Sequence, residues 1–272
     1  MKRTVCILAS LLLVLSCVSP LAQAETVKVK IGVVGENNEQ WEQVIIPTLK
    51  KEGIEIELVK FSDYVIPNQA LADGEVDLNA FQHYNFMNKW SKDNGVELAA
   101  IAETLIAPLC VYSQKIASLD ELKEGDGVAI MNDVVNEARA LRMLASTGLI
   151  TLREGLSELA TVADIVENPK NLKFFEVEAA MTASLLSDPL VAVGFLNGTH
   201  AKDAGYTNDQ ALLMEQYDPG NPDMRGIINV IAARADRADE PVFARIAEVY
   251  HSDEVKALFE TVYKGVYIPA WK

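Results

Sequence analysis

The sequence predicts an α/β fold, on three observations. A β-rich run opens directly onto a helical pattern and then onto an alternating run. A second series of the same kind begins near Gly127. No Pro- or Ser-rich linker, low-complexity stretch or repeat of about 20–50 residues interrupts the 272-residue chain.

The first run, Val27 to Val34, ends at Gly35. Asn37-Asn38 then offers a helix cap ahead of Trp41, Val44, Ile45 and Leu49 at helical spacing. Ile54, Ile56 and Leu58 alternate with Glu55, Glu57 and Val59, which predicts a second strand parallel to the first through the intervening helix. Val65 to Ala72 reads as a short helix with Pro67 in its first turn, Val76 to Ala80 as a short strand, and His83 to Asn94 as a helix stopped by Gly95. Val96 to Tyr112 is apolar and extended. Ser118-Leu119-Asp120-Glu121 has the capping-box pattern, Gly127 to Met131 is a strand, and Ala138, Leu141, Leu144 and Ala145 line one face of a helix closed by Gly148. Further strands are expected at Leu172 to Val177, Leu190 to Leu196 and Ile227 to Ala233. Further helices are expected at Glu178 to Leu186, Val242 to Tyr250 and Glu254 to Tyr263. Without a linker, any division into two lobes must be made by crossing strands, and Tyr112 and Asn229 lie near the expected crossings.

The N-terminus reads as an export signal: Lys2-Arg3, an apolar run from Val5 to Leu15 that is too short to span a bilayer, and Ala22-Gln23-Ala24. Two outcomes stay open. Cleavage behind Ala24 frees a soluble chain, whereas Val14-Leu15-Ser16-Cys17 resembles a lipobox, in which Cys17 becomes the acylated N-terminus after residues 1–16 are removed. Either way the protein is expected to be exported, to the periplasm or cell envelope. Beyond the leader Cys110 is the one cysteine, so no intramolecular disulfide forms, and its apolar neighbours predict a buried thiol. About 250 mature residues suffice for a core without staples.

Removing Lys2 and Arg3 with the leader takes the formal charge from −15 to −17. That balance argues against nucleic acid as a partner and against electrostatic membrane attachment, and leaves a small neutral or zwitterionic ligand compatible. No P-loop, dinucleotide glycine fingerprint, HExxH or GxSxG is present, which lowers the expectation of a common enzyme class. His83, His200 and His251 are too far apart in sequence for a zinc motif, so neither metal nor cofactor is expected. Asp63 and Asp77 are expected to hold turns rather than act as an acid–base pair.

Several strings carry more information: Phe61-Ser62-Asp63-Tyr64-Val65, Pro67-Asn68, Phe81-Gln82-His83, Asn132-Asp133 with Asn136 and Arg139, Ile165 to Leu172, and Glu176-Val177-Glu178-Ala179-Ala180. Together, and down to Ile268-Pro269-Ala270-Trp271, they resemble the methionine-binding lipoproteins of ABC importers over essentially the whole mature chain. The resemblance implies a type II periplasmic-binding-protein fold. One lobe takes residues 26–112 and 226–272, the other residues 113–225, and a ligand is captured in the cleft between them. It implies methionine or a related amino acid as ligand, and an ABC permease with its ATPase as partners. Arg139 would grip the ligand carboxylate through its planar fork. Asn136 shares the helix face of Arg139, and either ligand or cap can claim its amide. Asn197 and Asn229 match asparagines that contact the amino and carboxylate groups. Tyr64, Phe81 and His83 match the side-chain pocket around a thioether. For the asparagines the alternative role is holding turns, for Phe81 core packing, and for His83 a helix-start hydrogen bond.

The match departs at Gly35-Glu36-Asn37-Asn38, where relatives carry proline and histidine, at Met131 in place of proline, at His200 in place of an aromatic tyrosine, and in the approach Asp218 to Arg225 ahead of Asn229. These positions put the admitted side chain in question, so a different amino acid or a Met-containing dipeptide is an alternative ligand. An extracytoplasmic enzyme on the same two-lobed fold is the alternative of another class.

Overall fold

β1 (Val27–Val34) buries Val29, Ile31 and Val33 and runs fully covered over its second half. It belongs to a computed structural model that describes residues 26–156, 159–218 and 221–271. The leader with Cys17 and Ala24, and also Pro219 and Gly220, lie outside the described residues. Gly35 ends the strand at φ +80°, where a Cβ would also fall 2.4 Å from Asp203 Oδ2, so glycine is required twice over. A π-helical turn over Gln40–Ile45 leads into α1 (Ile46–Lys51), burying Trp41, Ile45 and Leu49. Asn38 is not the side-chain cap expected from sequence. Its amide donates to the Gly35 carbonyl at 2.9 Å, and its backbone carbonyl starts the turn instead.

β2 (Ile54–Phe61) pairs with β1 in parallel along its whole length. α2 (Pro67–Ala72) begins on its proline, β3 (Leu78–Asn79) lies on the other side of β1, and α3 (Tyr84–Asn94) is closed by Gly95 at φ +66°. β4 (Leu98–Glu103) and β5 (Leu105–Ile106) follow. The chain then passes to a second sheet through β6 (Cys110–Tyr112), which lies antiparallel to a strand described below. Ser118 caps a single 3-10 turn, but Glu121 accepts from Ala117 N rather than completing the expected box.

β7 (Gly127–Met131) is buried at every residue and feeds α4 (Val134–Ser146). A small antiparallel pair, β8 (Thr151–Leu152) with β9 (Ile165–Glu167), precedes β10 (Lys173–Val177), α5 (Thr182–Leu185), β11 (Val191–Leu196), α6 (Gly198–Asp203) and β12 (Leu213–Met214). A 3-10 run over Pro222–Ile227 returns to β13 (Val230–Arg234) in the first sheet. The strand expected from Ile227 therefore starts three residues later. Ile227 and Ile228 are apolar because they pack with Ile106 in a small cluster, not because they form a ladder. α7 (Pro241–Tyr250), α8 (Asp253–Leu258) and β14 (Ile268–Pro269), the last paired with β5, complete the chain.

The sheets have strand orders β2-β1-β3-β13-β4 and β10-β7-β11-β6-β12. Each supports its own core: Trp41, Leu78, Phe243 and Phe259 are among the residues of the first, and Val128, Leu141, Leu144 and Phe195 among those of the second. Full burial of one such side chain contributes about 1.5–3 kcal/mol, so each lobe holds its shape without a disulfide. Cys110 is 1% exposed, and burial pushes its thiol up to about 11. Asp63 and Asp77 hold backbone as expected. Asp63 Oδ1 accepts from Val65 N and Ile66 N, and Asp77 Oδ2 accepts from Lys30 N.

Candidate functional site

The side chains singled out in the sequence come from both lobes and meet where the chain passes between the sheets. Tyr64, Phe81, His83, Asn136, Arg139, Asn197 and Asn229 all line one pocket. Phe86 and Thr199 line it as well and carried no local signal in sequence, since one is an apolar residue on an amphipathic helix and the other an ordinary helix-start threonine.

The aromatic wall is built from the first lobe. Tyr64 stacks on Phe81 with ring centroids 5.7 Å apart, and Phe86 meets both edge-on at 6.1 Å. Phe81 and His83 are positioned by a buried amide network beneath them. Asn68 and Gln82 exchange hydrogen bonds at 2.6 and 2.7 Å, and Asn79 donates to Asn68 and to the Pro67 carbonyl. Pro67-Asn68 and Phe81-Gln82-His83 are thus joined mechanically. The Asn68 and Gln82 amides are tied to each other twice, while Asn79 Oδ1 has no partner among the described residues. His200 packs on Tyr64 from the second lobe, with ring centroids 4.8 Å apart.

His83 is the N-cap of α3, and its Nδ1 accepts from Phe86 N at 3.2 Å. The proton therefore sits on Nε2, which faces Asn136 Oδ1 at 3.4 Å. Burial, with the nearby Arg139 charge, pushes the imidazole down to about 3, so the ring is neutral under ordinary conditions. On the adjoining segment Asn229 is clamped by its backbone. It bridges His83 in antiparallel fashion, donates to the Leu105 carbonyl at 2.7 Å, and accepts from Thr104 N at 2.8 Å.

The polar wall is built from the second lobe. Asp133 caps α4 by accepting from Asn136 N at 2.9 Å, and its carboxylate also accepts both contacts from Asn136 Nδ2. Burial raises the Asp133 carboxyl above the usual carboxylate range against the pull of these bonds. Asn136 Oδ1 in turn accepts from Arg139 Nη1 at 2.8 Å and Asn197 Nδ2 at 3.0 Å, besides the His83 contact. Both ends of the Asn136 amide are therefore spent on protein partners. Asn197 keeps its Oδ1 without a partner among the described residues, although the side chain is buried. That leaves an acceptor for a donor other than the protein's own.

Arg139 is 9% exposed and forms a two-pronged ion pair with Glu215, Nε to Oε1 at 3.1 Å and Nη2 to Oε2 at 2.6 Å. Burial opposes the Arg139 charge, but Glu215, with smaller help from Asp133 and Tyr64, holds the guanidinium above its ordinary value. The arginine is a shared wall. On one side lies the inner pocket, with about 30 Å³ of free space, and on the other a groove of about 940 Å³ that reaches Lys89, Met143, Leu213 and Glu215. The inner space holds about one water molecule, so a solute of amino-acid size requires the walls to separate.

Among the described residues no group of three or more His, Cys, Asp and Glu stands together as a metal would need, and no helix is long and apolar enough to cross a membrane.

Residues 29–271 match the family model of the NlpA lipoproteins. The D-methionine-binding lipoprotein MetQ of Escherichia coli (strain K12) is 38% identical over 246 residues, 89% of this chain and 88% of that protein. The substrate-binding protein of a methionine transporter from Streptococcus pneumoniae superposes with a TM-score of 0.84 at 40% identity, covering 90% of this chain and 96% of that one. A nutrient-binding protein from Burkholderia cenocepacia, solved bound to methionine, superposes with a TM-score of 0.82 at 36% identity over 89% of this chain and 100% of the other.

Proposed function

The chain belongs to the NlpA lipoprotein family, and from that membership we propose that it is an exported binding protein that captures methionine or a close analogue and hands it to an ABC permease and its ATPase. The observation that carries this reading is the convergence of a buried arginine, an unpartnered asparagine oxygen and an aromatic wall on one interlobe pocket. Arg139 offers N–H groups to a carboxylate, Asn197 Oδ1 and the Asn229 amide are placed for the polar head, and Tyr64, Phe81 and Phe86 suit a thioether side chain. Asn136, with its amide fully engaged, acts by holding Arg139, Asn197 and His83 in register.

A neutral histidine whose Nδ1 is used as a helix cap is unsuited to proton transfer, which favours binding over catalysis. We place the lobe boundaries where the chain changes sheet, between β5 and β6 and between β12 and β13. Membership of a lipoprotein family favours acylation of Cys17 over cleavage behind Ala24. Metabolic labelling with a radioactive fatty acid, lost in Cys17→Ala, tests the anchor.

Calorimetric titration of refolded mature protein with L- and D-methionine, other amino acids and Met dipeptides tests the ligand. Tight methionine binding that is lost in Arg139→Ala supports the reading. No binding to any member of the panel rejects it.

A further inference from the structure

Glu215 stands on the side of Arg139 away from the inner pocket, and nothing in its local sequence, Leu212-Leu213-Met214-Glu215-Gln216, marks it. Its place is fixed by more than the arginine. Glu215 N donates to the Leu109 carbonyl at 2.8 Å, and Leu109 N donates to Glu215 Oε2 at 3.2 Å, so the residue continues the β6–β12 pairing on the segment that joins the two sheets. The side chain is 13% exposed, and its partner 9%. A carboxylate held in this way by backbone and by a two-pronged arginine contact is part of the site's framework.

Three of the five guanidinium N–H groups of Arg139 are engaged by Glu215 and Asn136 among the described residues, which leaves one on each terminal nitrogen for a ligand. The charge count follows. Arg139 contributes one positive charge that Glu215 opposes with one negative charge, His83 is neutral, and Asp133 behind Asn136 adds a further carboxylate and no cation. A ligand bearing a carboxylate alone would bring an uncompensated negative charge into a water-poor pocket, which is strongly disfavoured. A zwitterion brings none, and its ammonium meets acceptors such as Asn197 Oδ1.

Building on the proposed capture of an amino acid, we infer that Glu215 sets the charge class of the ligand. By neutralising Arg139 from behind, it makes the pocket select a zwitterion over a simple carboxylate. Glu215 does not touch the inner pocket and acts through the arginine.

The test is calorimetry at pH 7 on refolded mature protein with methionine and with 4-(methylthio)butanoate, which has the same chain and carboxylate but no ammonium. The wild type is expected to prefer methionine at least 100-fold. In Glu215→Gln that preference shrinks at least tenfold, because the unneutralised arginine now favours the anion. Glu215→Asp, which keeps the charge on a shorter arm, weakens both ligands and leaves their ratio within about threefold of wild type. Thermal melts establish that each variant is folded, and Glu215→Ala, with the same expected narrowing, substitutes if the glutamine variant is not. An unchanged ratio in the charge-removing variant, whether both ligands weaken together or neither changes, overturns the inference. A wild type that binds no methionine overturns instead the reading beneath it.

Discussion

Lys202 Nζ lies 2.9 Å from Glu39 Oε1 and so joins α6 of the second lobe to the loop after β1 in the first. The same ammonium donates to Asn37 Oδ1 at 2.6 Å and sits 4.8 Å over the Tyr263 ring, while the neighbouring Asp203 accepts from Asn37 Nδ2. Of these partners Asn37 lies in the loop Gly35 to Asn38, and Glu39 follows it directly. The lobes are thus fastened to one another through Lys202 and Asp203.

Replacing Lys202 with Met keeps the stem and removes the charge. A partly exposed pair with a cation–π contact contributes about 1 kcal/mol. The variant is expected to release ligand about fivefold faster, with little change in the thermal midpoint of either lobe. Stopped-flow dissociation measures this, and an unchanged rate would show that the contact does not hold the closed form.

Asn136→Ala is expected to be the most damaging single change in the pocket that removes no charge. It strands Arg139 Nη1 and Asn197 Nδ2 and leaves the Asp133 carboxylate the backbone N–H of residue 136 without the two Nδ2 contacts. Unsatisfied buried groups cost about 1–3 kcal/mol each, softened by local rearrangement, so a loss of about 2–3 kcal/mol in denaturant unfolding is expected. Affinity falls with it.

The neutrality of His83 predicts flat binding with pH. With its value pushed down to about 3, its Cε1–H resonance shows no titration step between pH 8 and pH 5, and binding shows no step that belongs to it. Its folded value is depressed below that of the unfolded chain. The stability it contributes is therefore fully present above about pH 6.5 and is lost as pH falls toward 3. NMR titration checks the first statement and acid melts the second.

Glu137 has the opposite sign. It is buried on α4 and accepts from Val162 N at 2.8 Å, and burial, with the charge of Glu176 nearby, raises its carboxyl to about 7. A raised folded value means that its contribution is present below about pH 4.5 and is lost as pH rises through 7, by on the order of 3 kcal/mol. Glu137→Gln is expected to flatten the fall in thermal midpoint between pH 5 and pH 8. An equal slope in both proteins would rule this out.

What could be seen in the sequence was whatever repeats locally. The alternation of Ile54, Ile56 and Leu58, the helical spacing of Leu141 and Leu144, and the glycine after Asn94 each follow from one element's own periodicity, and the corresponding elements are present. Arg139, the asparagines and the aromatic residues stood out through a motif, and the structure gathers them in one pocket. Residues whose meaning lies in a distant partner stayed hidden. Glu215 meets an arginine 76 positions away, and Glu137 is one acid among many until it is found beneath Val162. Ile227 and Ile228 misled for the converse reason, because burial in a small cluster imitates a strand when only hydrophobicity is read.

The lone thiol of Cys110, sealed inside the crossing strand β6, has a practical consequence. In a mature chain begun behind Ala24 it is the one native cysteine, and its burial, which pushes its value up to about 11, is expected to keep it from reacting with maleimide at neutral pH. A cysteine introduced at an exposed position on each lobe, Val65 on one and Val166 on the other, is then the only addressable group there. A donor and an acceptor dye on that pair turn the protein into a ratiometric sensor of its own ligand, without removal of any native residue.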